Sequence, residues 1–529
     1  MTPRRFLFVM HYPGYLRYFD SVIRMLAAHG HHIDLVFDNP DKQSEGTEAL
    51  GDIEGSVDVL GRMPVRGDIW AIVARAVRGT MDYVRYLHPD FAGTPYLRDR
   101  MRSALPPIFA FLSHRNTSDV AFIRRVNGLL RMCERAIPSS SAIESLVRSR
   151  RPDAVLVTPL VTDRSPQVDV IKCAHALGIP AALCVASWDH LTTKGLIRVQ
   201  PDLVSVWNEE QKAEALAYHD IPASSMVVTG AQPFDRWFER RPTPREEFCR
   251  KIGLPPGKPF VIFVGSTASI SAPDAELTFV RRWIEALRAH PALAGISILV
   301  RPHPFNARHW SDADVADLPD VAVYPHWANP VNEADRQDYF DSLYHSETVV
   351  GINTTAMIEA AIVGRTVHSV LADEFKDTQG GTLHFRYLLS ENGGFLRVAA
   401  NLAEHASQVA ETLASPGIGH EACARFVRTF VRPKGIDVET TPLLVEALER
   451  LATQTRGRER MPVMLYPLSA VLWVSGVCAY YPQRLWNQMR KQWRIAEKKT
   501  HNMRKRLRRI QPSRAQTQEG SDVPRRKAG

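Results

Sequence analysis

Arg5-Phe6-Leu7-Phe8-Val9-Met10-His11-Tyr12-Pro13-Gly14 is the stretch that decides the fold class. Its apolar run predicts a strand buried on both faces. The turn after it leads into an apolar pattern of helical period that ends near Gly30, and a second apolar strand is predicted over 32–37. Strand, helix and strand in this order form a βαβ unit, which is typical of a parallel sheet.

The same alternation continues along the rest of the chain. Further strands are predicted over 154–157, 181–185, 203–207, 226–229, 260–264, 296–300, 322–324, 348–351 and 367–371. Helices are predicted over 168–177, 276–289, 336–343 and 355–363. The stretch 242–258 is rich in Pro, Lys and Arg, and we interpret it as a linker between two such units.

The predicted fold class is therefore α/β, with two Rossmann-like domains that face each other across a cleft. The 529 residues are too many for one hydrophobic core, which agrees with two domains. The first domain is predicted over 1–240, with a helical insertion at about 62–150, and the second over 241–455. An apolar and basic helical segment over 456–510 and a disordered tail over 511–529 follow.

The net charge of +9 is concentrated in two places. Residues 482–529 hold 15 Lys/Arg and 3 Asp/Glu, and residues 62–151 hold 16 Arg and 7 acids. Both regions predict surfaces that face something anionic, although the arginines of the insertion are equally compatible with a solvated helical face. The 6 scattered cysteines have no metal-ligand spacing and indicate a reducing compartment.

Residues 461–481 contain no charged side chain and are long enough to span a bilayer. The basic flank after them would lie outside if the segment spanned once, which the positive-inside preference disfavours. We therefore favour an in-plane or re-entrant anchor with the tail on anionic headgroups. The alternative is a buried core helix. The expected location is cytoplasmic, at the inner face of the cell membrane, and no nucleic-acid partner is expected.

Polar groups that suit a nucleotide follow the strands of the second unit. Arg301-Pro302-His303-Pro304 presents a cation and an imidazole on a loop that two prolines stiffen, which suits a phosphate-bearing leaving group. Asn353, Thr354 and Thr355 are predicted to cap the next helix and leave its first amides free for phosphate. Glu359 lies one turn further on and can accept hydrogen bonds from a ribose.

Gly265, Ser266 and Thr267 form a small-residue turn after a strand and are compatible with phosphate contact. The turn lacks the lysine of a P-loop and the glycine spacing of a dinucleotide-binding loop. Asp312-Ala313-Asp314 has the spacing of a metal-binding pair, but no strand precedes it, and we interpret it as surface. No metal site and no cofactor are predicted.

The first unit offers two rival general bases for an acceptor hydroxyl. His11 ends the first strand beside Gly14, where a base would face the cleft. Asp189 lies in the polar stretch 187–195 after another buried strand. The sequence leaves the choice between them open, and each could instead be an ordinary hydrogen-bonded loop residue.

The strand-His-x-x-Gly start, the Arg-Pro-His-Pro loop and the segment from Asn353 to Val367 resemble GT-B glycosyltransferases. They are similar to bacterial surface-polysaccharide transferases and to the CDP-glycerol glycerophosphotransferase and polysialyltransferase group. The resemblance implies that His303, with Thr354 and Thr355, holds the donor phosphates and that Glu359 is the acid at the ribose. Thr replaces the more usual Ser of that pair, which bears on donor identity.

The predicted function is transfer of a sugar from a nucleotide-activated donor to a surface-glycan or lipid-linked acceptor, with inversion and without a metal. Arg301, His303, Thr354, Thr355 and Glu359 would hold the donor. The alternatives are a CDP-glycerol-type glycerophosphotransferase, a nucleotide-sugar 2-epimerase-like isomerase and a non-catalytic membrane scaffold.

Overall fold

The computed structural model describes residues 2–53, 55–114, 119–162, 165–311, 314–325, 330 and 332–482. The basic part of the predicted tail, 483–510, and its predicted disordered end, 511–529, lie outside the described residues. So do Asp312 and Ala313. The described residues form two parallel β-sheets flanked by helices, which confirms the predicted α/β class.

The first sheet consists of β1 (Arg5–Met10), β2 (His32–Phe37), β3 (Val57–Arg62), β4 (Ala154–Thr158), β5 (Ala181–Cys184), β6 (Leu203–Val206) and β7 (Met226–Val228). Its strand order is β3-β2-β1-β4-β5-β6-β7. β1 and β4 pair in parallel and are almost wholly buried, as their apolar sequences predict. β3 was not predicted, because it is a half-exposed edge strand in which polar residues interrupt the apolar ones.

The second sheet consists of β8 (Phe260–Val264), β9 (Ser297–Arg301), β10 (Val321–Val323), β11 (Thr348–Gly351), β12 (Thr366–Val370) and β13 (Arg397–Ala399). Its order is β10-β9-β8-β11-β12-β13. In both sheets the direction of strand succession therefore reverses once, between β1 and β4 in the first sheet and between β8 and β11 in the second. A sheet of this kind binds ligands at the reversal, beyond the carboxyl ends of the two strands.

Helices cover both faces of each sheet. Those that precede the second sheet are α1 (Leu16–Ala28), α2 (Trp70–Arg85), α3 (Pro95–Arg102), α4 (Val120–Ala136), α5 (Ser141–Arg150), α6 (Gln167–Leu177), α7 (His190–Thr193), α8 (Glu209–His219), α9 (Asp235–Glu239) and α10 (Arg245–Ile252). The others are α11 (Pro273–Ala289), α12 (Glu333–Tyr344), α13 (Ala356–Ile362), α14 (Leu402–Ala414), α15 (His420–Phe426) and α16 (Thr440–Ala452). The stretch 242–258, predicted as a linker, lies between β7 and β8, and within it α10 buries Phe248 and Ile252 in a core cluster with β8.

The last of these helices, α16, returns to the first domain. Leu444 and Leu448 are buried in the same core cluster as Phe6 and Phe8 of β1, on one face of the first sheet. The carboxylate of Asp235 accepts hydrogen bonds from the backbone N–H groups of Thr440 and Thr441 at 3.0 and 2.7 Å, and so fixes the start of the helix. The predicted domain limits stay predictions. The buried contacts show that α16, at the end of the predicted second domain, packs on the first domain.

Several arginines of the insertion are buried in ion pairs. Arg78 donates to Glu134 at 2.9 Å and to Asp169 at 2.8 Å, so it ties α2 to α4 and α6. Arg85 is buried and donates to the carbonyl of Leu191 at 2.7 Å. For these arginines neither predicted interpretation, a solvated face or a membrane-facing one, is correct. Arg75, Arg124 and Arg125 do lie on the surface.

The helix Val463–Pro482, called here the C-terminal apolar helix, has a mean hydropathy of 1.6, and 11% of its most apolar window is buried. It is the one helix among the described residues that length and composition would allow to cross a membrane. It lies against α2: a Cβ on Gly476 would come within 2.7 Å of Ile69. Its exposure contradicts the alternative of a buried core helix.

Candidate active site

The reversal points of the two sheets face each other across an interdomain cleft that encloses a cavity of about 220 Å³. From the second domain the loops after β8, β9 and β11 line it. From the first domain the start of α1, the loop after β5 and the segment around α9 line it. Of the predicted donor residues, the ones that line the cleft are Gly265, Arg301, His303, Thr354, Thr355 and Glu359. The structure therefore brings together most of the predicted donor set.

Arg301 carries an unsatisfied charge beneath this cleft. Its side chain is 6% exposed, and its guanidinium lies 4.7 Å from the ring centroid of Tyr339. Its Nη1 has no hydrogen-bond partner among the described residues. A buried N–H group of a cation without an acceptor is costly, so this group is one that an anionic ligand would complete.

Glu359 lies beside it on α13. Tyr339 O–H donates a hydrogen bond to its carboxylate. Burial raises the pKa of Glu359 to about 7, although this hydrogen bond and the charges of Arg17 and Arg301 oppose the shift. The carboxyl group is therefore close to half-ionised at neutral pH and can accept hydrogen bonds from hydroxyls.

The imidazole of His303 is held in one tautomer. Phe305 N–H donates to its Nδ1 at 3.2 Å, so in the neutral ring the hydrogen is on Nε2. Burial, and after it the charge of Arg17, lowers the pKa of His303 to about 3. His303 is thus a neutral hydrogen-bond donor in the cleft.

The capping expected of Asn353 is wrong. Asn353 is buried and donates instead to the carbonyl of Thr378 at 2.8 Å, and α13 has no side-chain cap. The first backbone amides of α13 do not all stay free either, because Met357 N–H donates to the carbonyl of Thr354 at 3.1 Å. Thr355 contributes its hydroxyl, which accepts a hydrogen bond from Trp188 Nε1 of the first domain at 3.2 Å.

The three small residues after β8 separate into different roles. A Cβ on Gly265 would lie 2.7 Å from the backbone nitrogen of His303, so glycine permits the close approach of the two loops. Ser266 is buried, where its N–H donates to Glu276 at 2.8 Å and its hydroxyl donates to the carbonyl of Asn353. Thr267 pairs with Ser269 and is not part of the cleft lining.

The first-domain wall adds positive charge that the sequence did not reveal. Arg17, Arg236, Arg240 and, from α12, Arg336 line the cleft together with Tyr18 and Trp237. Arg236 pairs with Asp20 at 2.6 Å and Arg240 with Glu333 at 2.7 Å. Arg17 stacks on Tyr18 at 4.5 Å, and its positive charge acts to lower the pKa of both His303 and Glu359. Its position in the first turn of a helix after β1 was the available signal.

His11 and Asp189 lie outside the residues that line the cavity, in an adjoining polar cluster of the first domain. His11 Nδ1 is 3.2 Å from Asp38 Oδ2, and Gln167 Nε2 donates to the same oxygen at 3.1 Å. Burial raises the pKa of Asp38, while these contacts oppose the shift. With Nδ1 donating to Asp38, His11 Nε2 is an acceptor and can take a proton.

Asp189 is bound much more firmly. Its oxygens accept from the hydroxyls of Ser187 at 2.5 Å and Thr193 at 2.9 Å. Burial alone would raise the pKa of Asp189, but Lys194, His190 and further neighbours hold it well below its usual range. A carboxylate with so low a pKa is a weak base, which disfavours Asp189 as the general base.

Two clusters of acids and histidines have ligand atoms close enough for a metal ion. In the first, Arg4 N–H donates to His31 Nδ1 at 3.0 Å, so His31 Nε2 carries the hydrogen that faces Glu449. In the second, Arg5 already donates twice to Asp34, at 2.6 and 2.7 Å. Protein hydrogen bonds thus use the ligand atoms of both clusters, and neither cluster lines the cleft.

No protein-family model and no curated protein sequence matches this chain. Several solved structures are similar to this chain. The UDP-GlcNAc 2-epimerase from Neisseria meningitidis bound to UDP-GlcNAc is 11% identical, with 84% of this chain and 100% of that chain covered and a TM-score of 0.50. A glycosyltransferase from Rickettsia africae ESF-5 is 12% identical, with 86% and 100% covered and a TM-score of 0.49.

The structure of WaaG, a glycosyltransferase involved in lipopolysaccharide biosynthesis, is also similar. It is 12% identical, with 85% of this chain and 100% of that chain covered and a TM-score of 0.44. At such identities the similarity is one of fold. The chain has the two-domain GT-B-type fold, as the sequence predicts.

Proposed function

We propose that this protein is a glycosyltransferase that moves a sugar from a nucleotide-activated donor to a glycan or lipid-linked acceptor. The observation that carries the proposal is the interdomain cleft, where Arg301 has an unpartnered buried N–H and His303 presents Nε2–H. The UDP-GlcNAc bound to the similar Neisseria meningitidis protein supports a nucleotide sugar as the ligand. A diphosphate supplies the acceptor oxygens that these donors lack.

The donor side would work by fixed hydrogen-bond donors. Arg301 and His303 would contact the diphosphate, the hydroxyls of Thr354 and Thr355 would add donors, and Glu359 would bind the ribose hydroxyls. Negative charge grows on the leaving phosphate as its bond to the sugar breaks. Donors already in place stabilise that charge without rearrangement, which is the largest single contribution in many enzymes. Side chains alone meet the charge in this proposal, without a metal.

The acceptor side would supply the base. His11 Nε2 would take the proton of an acceptor hydroxyl while Asp38 holds the imidazole and stabilises its positive charge. The acceptor oxygen would bond to the anomeric carbon from the face opposite the phosphate, so the configuration inverts. The nucleoside diphosphate then leaves and His11 loses its proton to solvent. Closure of the domains would exclude water.

The C-terminal apolar helix and the basic residues after it support a location at the inner face of the cell membrane. An exposed apolar helix followed by excess Lys and Arg suits an anionic surface. A lipid-linked acceptor would be reached there without leaving the bilayer. This location agrees with the free thiols of all 6 cysteines.

The test begins with a thermal-shift screen of the full chain against CMP, CDP, UDP, GDP and their sugars. Any donor that raises the melting temperature is then incubated with and without membrane extract. Release of nucleoside diphosphate, or of CMP from a CMP-sugar, that depends on the extract supports glycosyl transfer. Epimer formed from the nucleotide sugar alone would replace the proposal by isomerisation, and CMP released from CDP-glycerol would replace it by glycerophosphotransfer. No shift with any nucleotide would favour a scaffold.

A further inference from the structure

A second pocket, of about 680 Å³, lies on the first domain where the C-terminal apolar helix begins. It shares no described lining residue with the cleft. α4, α6, the loop before β6 and the segment 454–462 form its walls. We call it the basic pocket, and its charged lining residues are Arg131, Glu134, Arg135, Lys172, His175, Arg198, Asp202, Arg456, Glu459 and Arg460.

Each of the three acids of the basic pocket already contacts a basic group of the protein. Glu134 is 3.1 Å from Lys172 Nζ and also pairs with Arg78. Asp202 contacts both Arg456 and His175, the latter at 3.1 Å. Glu459 is 2.9 Å from Arg456. All three acids are therefore engaged with basic groups, and Asp202 and Glu459 share Arg456.

Two arginines of the pocket supply further positive charge, and a third is paired with an acid outside the pocket. Arg135 and Arg460 are exposed and have no acidic partner among the described residues. Arg131 donates to Asp220 at 3.1 Å, but Asp220 is 57% exposed and lies outside the pocket lining. A pocket with two arginines that have no acidic partner among the described residues suits an anion with several acceptor oxygens.

The rim of the basic pocket is apolar in the direction of the C-terminal apolar helix. Met461 and Pro462 line the pocket itself, and the helix continues with Val463 at 74% and Met464 at 83% exposure. The start of this helix lies beside α4, which exposes Leu129 and Met132. Cations in a recess next to an exposed apolar surface match an anionic amphiphile.

We propose that the basic pocket binds the phosphate headgroup of an anionic lipid, whose acyl chains lie along the C-terminal apolar helix. The sequence after this helix, with 15 Lys/Arg against 3 Asp/Glu over 482–529, carries a charge that complements the same surface. The pocket would then fix the orientation of the protein on the membrane, whereas the tail supplies general attraction. The inference does not depend on the nucleotide chemistry of the cleft.

The test uses the full chain and short-chain lipids below their micelle concentration. Binding of dihexanoylphosphatidylglycerol is measured by calorimetry, beside dihexanoylphosphatidylcholine and inorganic phosphate. We expect one saturable site for phosphatidylglycerol, about tenfold or more tighter than for either of the others. Phosphatidylcholine bound equally well would overturn the headgroup assignment. If inorganic phosphate bound equally well, the pocket would be a site for a free anion, and the assignment of a lipid ligand would be overturned.

The variant Arg135→Gln/Arg460→Gln tests the residues. It removes two surface charges that have no ion pair, so folding should be unaffected. The matched control is Arg250→Gln/Arg425→Gln, which removes two exposed arginines of the second domain and leaves the tail intact. We expect about a tenfold or greater loss of phosphatidylglycerol affinity in the first variant only. Equal affinity in the two variants would refute the pocket. Nucleotide-induced stabilisation should be unchanged in both, which separates this result from failure of the cleft proposal.

Discussion

The two domains hold the polar groups at and beside the cleft in different ways: the second domain leaves a buried donor unpartnered, and the first domain pairs its candidate bases. On the second-domain side Arg301 has an unpartnered buried N–H, and burial moves the pKa of Glu359 up to about 7 and that of His303 down to about 3. On the first-domain side, beside the cavity, two hydroxyls donate to Asp189. His11 is paired there with one oxygen of Asp38, whose other oxygen, Oδ1, has no hydrogen-bond partner among the described residues. A buried cationic N–H without an acceptor marks where a charged ligand binds, and paired groups fix geometry.

The largest effect is expected from His11→Ala. If His11 of the first domain is the general base, its loss should lower kcat by about 10²- to 10⁴-fold, because proton removal from the acceptor is lost. Donor affinity and melting temperature should stay near wild type, since His11 does not line the donor cavity. Steady-state kinetics with membrane extract as acceptor measures this. A kcat within threefold of wild type would rule His11 out.

Arg301→Gln tests the unpartnered buried N–H of the second domain. Nucleotide affinity should fall by about 10- to 100-fold, because a charge-assisted hydrogen bond to phosphate is removed. The melting temperature of the unliganded protein should be unchanged or higher, since no described acid loses a salt bridge. Calorimetry and thermal unfolding of the same sample give both quantities. A strong loss of stability with unchanged nucleotide affinity would make Arg301 structural.

Asp189→Asn should act on stability and leave turnover largely intact. The low pKa of the carboxylate means that its ionised form stabilises the fold above the ordinary pKa of aspartate and that this stabilisation is lost as the pH falls. Its hydrogen bonds from Ser187 and Thr193 lead us to expect a loss of about 2 kcal/mol in the free energy of unfolding at pH 7. Denaturant unfolding measures it. A hundredfold drop in kcat without destabilisation would restore Asp189 as the base.

The smallest effect is a pH dependence of donor binding. The pKa of Glu359 is raised to about 7, so the carboxylate that accepts ribose hydrogen bonds becomes populated as the pH rises through that value. Affinity for the nucleotide sugar should increase by up to about tenfold between pH 6 and 8. Glu359→Gln removes the titrating group and should flatten the curve. The same slope in that variant would exclude Glu359 as its origin.

The fold could be predicted wherever burial is continuous, as in β1 and β8, because a strand covered on both faces is apolar throughout. The edge strands β3 and β13 are only partly buried and partly polar, and they were missed. Within the site, the loops after β8, β9 and β11 were predictable because a parallel sheet brings its strand ends to one edge. The partners of Asn353 and the place of Arg17 depend on tertiary contacts that no local pattern encodes.

Nucleotide binding by His303 is measured most directly by calorimetry of His303→Ala beside wild type, with the nucleotide that gives the largest thermal shift. His309→Ala is the control, because His309 is an exposed histidine of the same loop region. We predict one site per wild-type chain, about tenfold or more weaker binding in His303→Ala, and no change in His309→Ala. Equal affinity in all three proteins would contradict a nucleotide in this cleft.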